Sequence, residues 1–128
     1  MLLNLTDLSD ESLQNQISRQ IRAAILAGDL SPDQPLASIR ALARENRVSV
    51  ITVQRAYEAL EREELIHSRR GKGFFVSALE EEARRNVAAE RLQERLAPVI
   101  SGALSEGLSR EDVISSVNQI LQSRENEE

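Results

Sequence analysis

From residue 13 to residue 25, apolar side chains recur at Leu13, Ile17, Ile21, Ala24 and Ile25, in steps of four and then three or four. That spacing places them on one face of a helix. Ser9 or Asp10 can open this helix as its N-cap, and Gly28 closes it, because glycine takes the left-handed conformation of a helix end at little cost. A first helix over roughly 10–27 follows. Asp29 to Pro35 holds two prolines, two aspartates and a serine, a composition that predicts a turn redirecting the chain. Ser38 then opens a second, shorter helix with Ile39, Leu42 and Ala43 inward and Arg40, Arg44 and Arg47 outward. Only Asn46, Arg47 and Val48 separate it from Ser49, the predicted cap of a third helix reaching about Glu63. Its inward positions are Val53, Ala56, Tyr57 and Leu60, with the Tyr57 hydroxyl expected at the surface.

A helix, a tight turn with one buried aliphatic, Val48, and a second helix describe a helix-turn-helix. The small Ala43 lets the two helices approach. In such a unit the second helix lies in a DNA major groove with its N-terminal residues toward the base edges. Past Leu65 and Ile66 the period shortens to that of a strand. His67 to Gly73 brings three cations and two glycines before Phe74, Phe75 and Val76, which reads as a two-stranded ribbon with a basic tip.

Beyond Ser77 the character shifts. Leu79, Ala83, Val87, Leu92, Leu96, Ile100 and Ala103 form a drifting apolar stripe on an otherwise charged helix. Glu80, Glu81 and Glu82 fall in its first turn, where they suit the helix dipole. Pro98 must kink or split this helix, Gly107 ends it, and Ser109 with Asp112 resembles a capping box opening another. Val113, Ile114, Val117, Ile120 and Leu121 give that last helix one apolar face, and Ser123 to Glu128 reads as a frayed tail. Two such helices cannot both hide their stripes on a domain this small. The simplest cover is the same pair in another copy, which makes the segment a dimerisation hairpin. The expected architecture is mainly α with a small β wing: a winged helix-turn-helix domain over 1–77, then a C-terminal α-helical hairpin over 78–128.

Composition narrows the chemistry. Two phenylalanines, one tyrosine and no tryptophan in 128 residues leave a core of Leu, Ile, Val and Ala, suited to helix packing rather than to an enzyme pocket. Without cysteine, and with His67 the one histidine, disulfides, thiolate ligands and a histidine-based metal site are excluded, and no cofactor is expected. The opening residues lack a basic region and are interrupted by Asp7, Asp10 and Glu11, so they do not read as a signal peptide, and no stretch is long enough for a membrane span. A cytoplasmic location is expected. The net charge of −5 argues against a nucleic-acid partner until it is divided by region. Residues 1–77 carry 10 basic and 10 acidic side chains, whereas 78–128 carry 6 and 11. Within 36–76 the count is 8 against 5, a local +3, and it is the local field that phosphates meet.

With these residues laid out, the chain resembles the GntR family of bacterial transcription regulators over roughly Leu5 to Val76. The resemblance rests on Gln16-Ile17, Ala24-Ile25 to Gly28 with Leu30 and Pro32, Leu36 to Arg40 with Leu42-Ala43, and Val48-Ser49. It continues through Thr52-Val53, Arg55-Ala56-Tyr57, Leu60-Glu61 and Arg69 to Gly73. The short C-terminal part looks like the YtrA-type subfamily. The resemblance implies a homodimer that binds a palindromic double-stranded DNA operator and usually represses its target, often a transporter operon. Four positions depart from the family's pattern: Ala37 replaces a common proline, Gln14 a tyrosine, Glu64 a glycine and Val50 a frequent arginine. Glu64 must either adopt a left-handed conformation or end its helix differently.

The candidate DNA-binding residues are Ser38, Arg40, Ser49, Val50, Thr52, Arg55, Arg69, Arg70, Gly71, Lys72 and Gly73. Arg40 matches a contacting arginine of the family, and Arg55 projects opposite the core face, its plain alternative being a pair with Glu58. Ser38, Ser49 and Thr52 either satisfy their own helix N-termini or also meet phosphate. Val50 and Ile51 look out of place at an exposed helix start; one of them packs on the first helix or the wing, or Val50 faces the groove and reads thymine methyls. Three cations at a ribbon tip exceed what a turn needs, and an arginine there is suited to a narrow minor groove. His67 is expected as a strand residue near the wing base. The dimerisation candidates are Leu79, Ala83, Val87, Leu92, Leu96, Ile100, Val113, Ile114, Val117, Ile120 and Leu121. Whether a small-molecule effector exists is open: either none binds, or one sits between the C-terminal helices near Pro98. The rival class is a winged-helix protein-interaction module without sequence-specific DNA binding, and a hydrolase resting on carboxylates alone is weaker still.

Overall fold

The computed structural model describes residues 1–127. Seven elements follow one another: α1 (Leu13–Ala27), α2 (Ile39–Asn46), α3 (Val50–Arg62), β1 (Ile66–Arg69), β2 (Gly73–Val76), α4 (Glu81–Ser105) and α5 (Arg110–Asn126). The chain divides into two compact units, one over residues 1–87 and one from residue 88 onward, so the boundary falls within α4.

In the first unit, α3 packs against both α1 and α2. Ile17, Ile21 and Ile25 of α1, Leu42 and Ala43 of α2, and Val53, Ala56, Tyr57 and Leu60 of α3 meet in one core, closed by Leu65, Ile66 and Val76 of the ribbon. These are the stripes that the helical spacing selects, except that Leu13, Ala24 and Ile39 are only partly buried. Each fully buried aliphatic contributes about 1.5–3 kcal/mol, so this cluster is what holds α3 in place. The Tyr57 hydroxyl does not reach the surface. It donates to the Ala37 carbonyl at 2.7 Å, and the ring meets Phe74 edge-on with centroids 5.0 Å apart. Burial, with the Glu45 carboxylate adding to it, pushes its pKa up to about 12.

Helix α1 starts at Leu13, capped by Ser12, whose Oγ accepts from Asn15 N. Neither Ser9 nor Asp10 is the cap, because the Ser9 hydroxyl is used on Glu11 N. The segment ahead is fastened by amide side chains: Gln16 bonds both N–H and C=O of Thr6, Gln20 both of Asn4, and Asn46 accepts from Leu3 N while donating to Met1 O. Gly28 ends α1 at φ 85°, and a Cβ there would collide with the guanidinium of Arg84, whose Nε is buried without a hydrogen-bond partner among the described residues.

The 29–35 segment does more than turn. Leu36 N donates to Phe74 O, Val76 N to Gln34 O, and Pro35 bridges Phe75, so this stretch covers the outer edge of β2. β1 and β2 are antiparallel with His67 opposite Phe75 and Arg69 opposite Gly73. Leu79, just beyond the ribbon, packs partly on the same core.

α4 is not split at Pro98; it remains one helix of 25 residues. Gly107 (φ 98°) follows it, with Leu108 N donating to Ala103 O. Ser109 and Asp112 form the reciprocal capping box that opens α5, and their hydrogen bonds hold the Asp112 carboxyl below its usual range. The frayed tail expected from Ser123 is helical to Asn126, and Glu128 lies outside the described residues. Neither α4 nor α5 buries a residue, and no described helix is long and apolar enough to cross a membrane.

Candidate nucleic-acid interface

Two serine caps shape the helix-turn-helix. Ser38 accepts from Ala41 N and Ser49 from Thr52 N, each at 3.1 Å, with both serines extended at ψ near 150°. Between them, Arg47 takes the left-handed conformation at φ 54°, and Val48 N donates back to Ala43 O at 3.0 Å. An arginine in that conformation costs about 1–2 kcal/mol relative to glycine-like freedom. The half-buried Val48 against the core offsets the cost and fixes the angle between α2 and α3.

The exposed side of α3 follows from what the core removes. At 3.6 residues per turn, Ile51, Arg55, Glu58 and Arg62 lie opposite the stripe of Val53, Ala56, Tyr57 and Leu60. Arg55 is exposed and does not pair with Glu58, which instead accepts from Gln54 at 3.2 Å. Arg40, Arg44 and Arg47 are also exposed without an ion pair among the described residues. The Ser49 and Thr52 hydroxyls lie 2.7 Å apart and bond each other. Neither Val50 nor Ile51 is covered: their exposures are 45% and 59%, so packing on α1 or the ribbon does not account for them.

At the ribbon, Lys72 N donates to Arg69 O at 2.9 Å, and Gly71 carries φ 74° while Arg70 does not enter the left-handed region. That is the signature of a type II turn, which requires the positive φ at its third position. Gly73 follows at φ 95°. The three cations are not equivalent. The Arg69 guanidinium lies 4.4 Å from the Phe75 centroid and pairs with Asp33 at 3.4 Å, while His67 stacks on Phe75 with centroids 6.0 Å apart. Arg70 and Lys72 project from the tip with no ion pair among the described residues. The distinction was hidden in the sequence because Asp33 reaches the wing from a turn 36 residues away.

The candidate set therefore separates into layers. Arg40, Arg55, Arg70 and Lys72 are unengaged cations; Ser38, Ser49 and Thr52 are occupied by their own helix starts; Gly71 and Gly73 shape the tip; Arg69 is partly held inside the protein. Arg47, outward as the helical spacing selects, and Gln54, bonded to Glu58, are exposed as well. Of the dimerisation candidates, Leu79 packs partly on the first unit's core, Ala83 and Val87 are half-buried there, and Leu96, Ile100 and Val113 are half-buried in the second unit. Leu92, Ile114, Val117, Ile120 and Leu121 are exposed. Among the described residues no cluster of carboxylates and imidazole suits a metal ion.

The model of the bacterial regulatory proteins of the gntR family matches residues 13–76, half of the chain. The HTH-type transcriptional repressor YtrA of Bacillus subtilis (strain 168) is 33% identical over 76 residues, covering 59% of this chain and 58% of that protein. In the repressors that it matches, the aligned part is between 31% and 58% of their whole length. A GntR family transcriptional regulator from Listeria monocytogenes superimposes with a TM-score of 0.70 at 30% identity, over 90% of this chain and 98% of that one. The DNA-binding domain of AraR, solved in complex with operator ORX1, aligns with a TM-score of 0.51 at 29% identity, over 60% of this chain and 95% of that one.

Proposed function

Since the chain belongs to the GntR family of bacterial regulatory proteins, and is a DNA-binding transcriptional regulator rather than an enzyme, we propose that it is a cytoplasmic repressor that binds a palindromic operator as a homodimer. α3 enters a major groove and the ribbon tip meets the flanking minor groove. Two heads then read inverted half-sites about one DNA turn apart, ~34 Å.

The observation that carries this reading is the set of unengaged cations on three successive elements, Arg40 on α2, Arg55 on α3 and Arg70 with Lys72 on the tip. Exposed arginines with no carboxylate partner are free to release counterions from DNA phosphates. The helix starts that Ser38 and Ser49 cap add the first-turn backbone N–H groups of Ile39, Arg40, Val50 and Ile51 as phosphate donors. The dimerisation surface is the apolar face of α5, Ile114, Val117, Ile120 and Leu121, with Leu92, Leu96 and Ile100 of α4. Leu92, Ile114, Val117, Ile120 and Leu121 are too exposed to be explained by folding of one copy, and the half-buried Leu96 and Ile100 continue the same stripe.

A duplex containing the gene's own upstream region, run in a mobility-shift titration at two salt concentrations, tests the proposal. Binding should weaken steeply as salt rises, and Arg70→Ala should reduce the log–log slope by about one. Equal binding to an unrelated duplex, or an Arg70→Ala variant with unchanged affinity and slope, would overturn it.

A further inference from the structure

α3 opens on a run of four β-branched residues, Val50, Ile51, Thr52 and Val53. Such residues lose side-chain freedom in a helix, and only Val53 is repaid by burial in the core. Thr52 is held by Ser49. Val50 and Ile51 remain, two adjacent apolar side chains at 45% and 59% exposure on the leading turn of the helix proposed above to enter a groove. The more exposed of them, Ile51, is also the one directly opposite the buried stripe, in line with Arg55 one turn later.

The polar side chains near that turn are partly engaged within the protein. The Ser49 hydroxyl accepts from Thr52 N and bonds the Thr52 hydroxyl, and Gln54 Nε2 donates to Glu58. On the outward line of α3 the first side chain that donates hydrogen bonds is Arg55, one turn after Ile51. The most exposed side chains of the leading turn are thus apolar, with the exposed Arg47 three residues before Val50 and Arg55 one turn after Ile51, neither in an ion pair among the described residues. A surface that is apolar at its centre and cationic at its rim fits a phosphate-walled groove with methyl groups on its floor, and the thymine C5-methyl is the one such group in the major groove.

Resting on the DNA-binding reading above, we infer that Ile51, flanked by Val50, is a specificity-determining residue that selects thymine at the base steps under the start of α3 by contact with the C5-methyl. Selection there depends on the methyl and not on the hydrogen-bonding edge of the base. Uracil should therefore be treated as a wrong base, and 5-methylcytosine as a partial mimic of thymine.

Duplexes enriched by the full-length protein from a random library would be resynthesised with deoxyuridine in place of one thymine at a time, and their affinities measured by fluorescence anisotropy. One or two positions in each half-site should bind roughly fourfold more weakly per methyl removed, the size expected for one desolvated methyl group. At those positions the penalty should vanish in Ile51→Ser or shrink in Val50→Ser. Circular dichroism should leave both variants folded, since neither residue is in the core. If uracil is tolerated everywhere by the unaltered protein, or if Ile51→Ser keeps the full penalty, methyl reading is wrong while sequence-specific binding stands. Failure of any sequence to enrich would remove the DNA-binding reading and this inference together.

Discussion

Glu64 sits at φ 63° just past α3, where Leu65 N returns to Leu60 O at 3.0 Å and Glu64 N to Glu61 O at 2.9 Å. The backbone geometry is that of a glycine-terminated helix, carried by a residue whose Cβ resists it. Glu64→Gly is expected to raise stability by about 0.5–1 kcal/mol in urea unfolding, the released strain exceeding the added freedom of the unfolded chain. Gly28→Ala should act in the opposite sense and cost at least ~1 kcal/mol, because φ 85° is combined with the Arg84 guanidinium where the Cβ would go. Tyr57 supplies a pH signature. Its folded pKa of about 12 exceeds the unfolded value of about 10, so its contribution is complete below pH ~10 and is lost as pH rises through ~12. Stability should fall across that window by about 2 kcal/mol more in the parent than in Tyr57→Phe, a difference read from urea midpoints at pH 9 and 11.5.

At the scale of elements, what was legible in the sequence was whatever a local period or a cap encodes. The three helical stripes, Gly28, the Ser38 and Ser49 caps, the capping box at Ser109 and the basic hairpin are all local signals, and all are present. The features that escaped are non-local. Pairing of Gln34 and Leu36 with β2, the amide clasps of Gln16, Gln20 and Asn46, and the Asp33–Arg69 pair each join residues far apart in the chain. Tyr57 was placed correctly in the core but its hydroxyl was not, since its acceptor is a backbone carbonyl 20 residues earlier. At Pro98 the local rule allowed a kink or a split, and the helix is not split. Proline removes one backbone donor and crowds the preceding turn, yet α4 continues through it. Pro98→Ala, which relieves a mismatch of up to ~3 kcal/mol, should increase helical ellipticity and raise the midpoint of the transition that melts α4. An unchanged midpoint would mean that α4 is already bent or paired to suit the proline.

At the scale of the molecule, charge and apolar surface are segregated along the sequence. The helix-turn-helix and wing hold the local +3, and the acidic excess lies after residue 77 with exposed Leu92, Val117, Ile120 and Leu121. Under the proposed function these divide the labour between phosphate contact and self-association. Replacing Val117 and Ile120 together by glutamate should lower the mass seen by analytical ultracentrifugation to that of one chain, 14.3 kDa. The helix-turn-helix core should stay folded in that variant, while operator affinity drops by a hundredfold or more through the lost avidity. The most direct test of the central claim is a hydroxyl-radical footprint of the full-length protein on its enriched operator. Two inverted protected half-sites, with centres about 10 base pairs apart and fading together as salt is raised, are the predicted result. A single protected patch, or protection that ignores sequence, would contradict it.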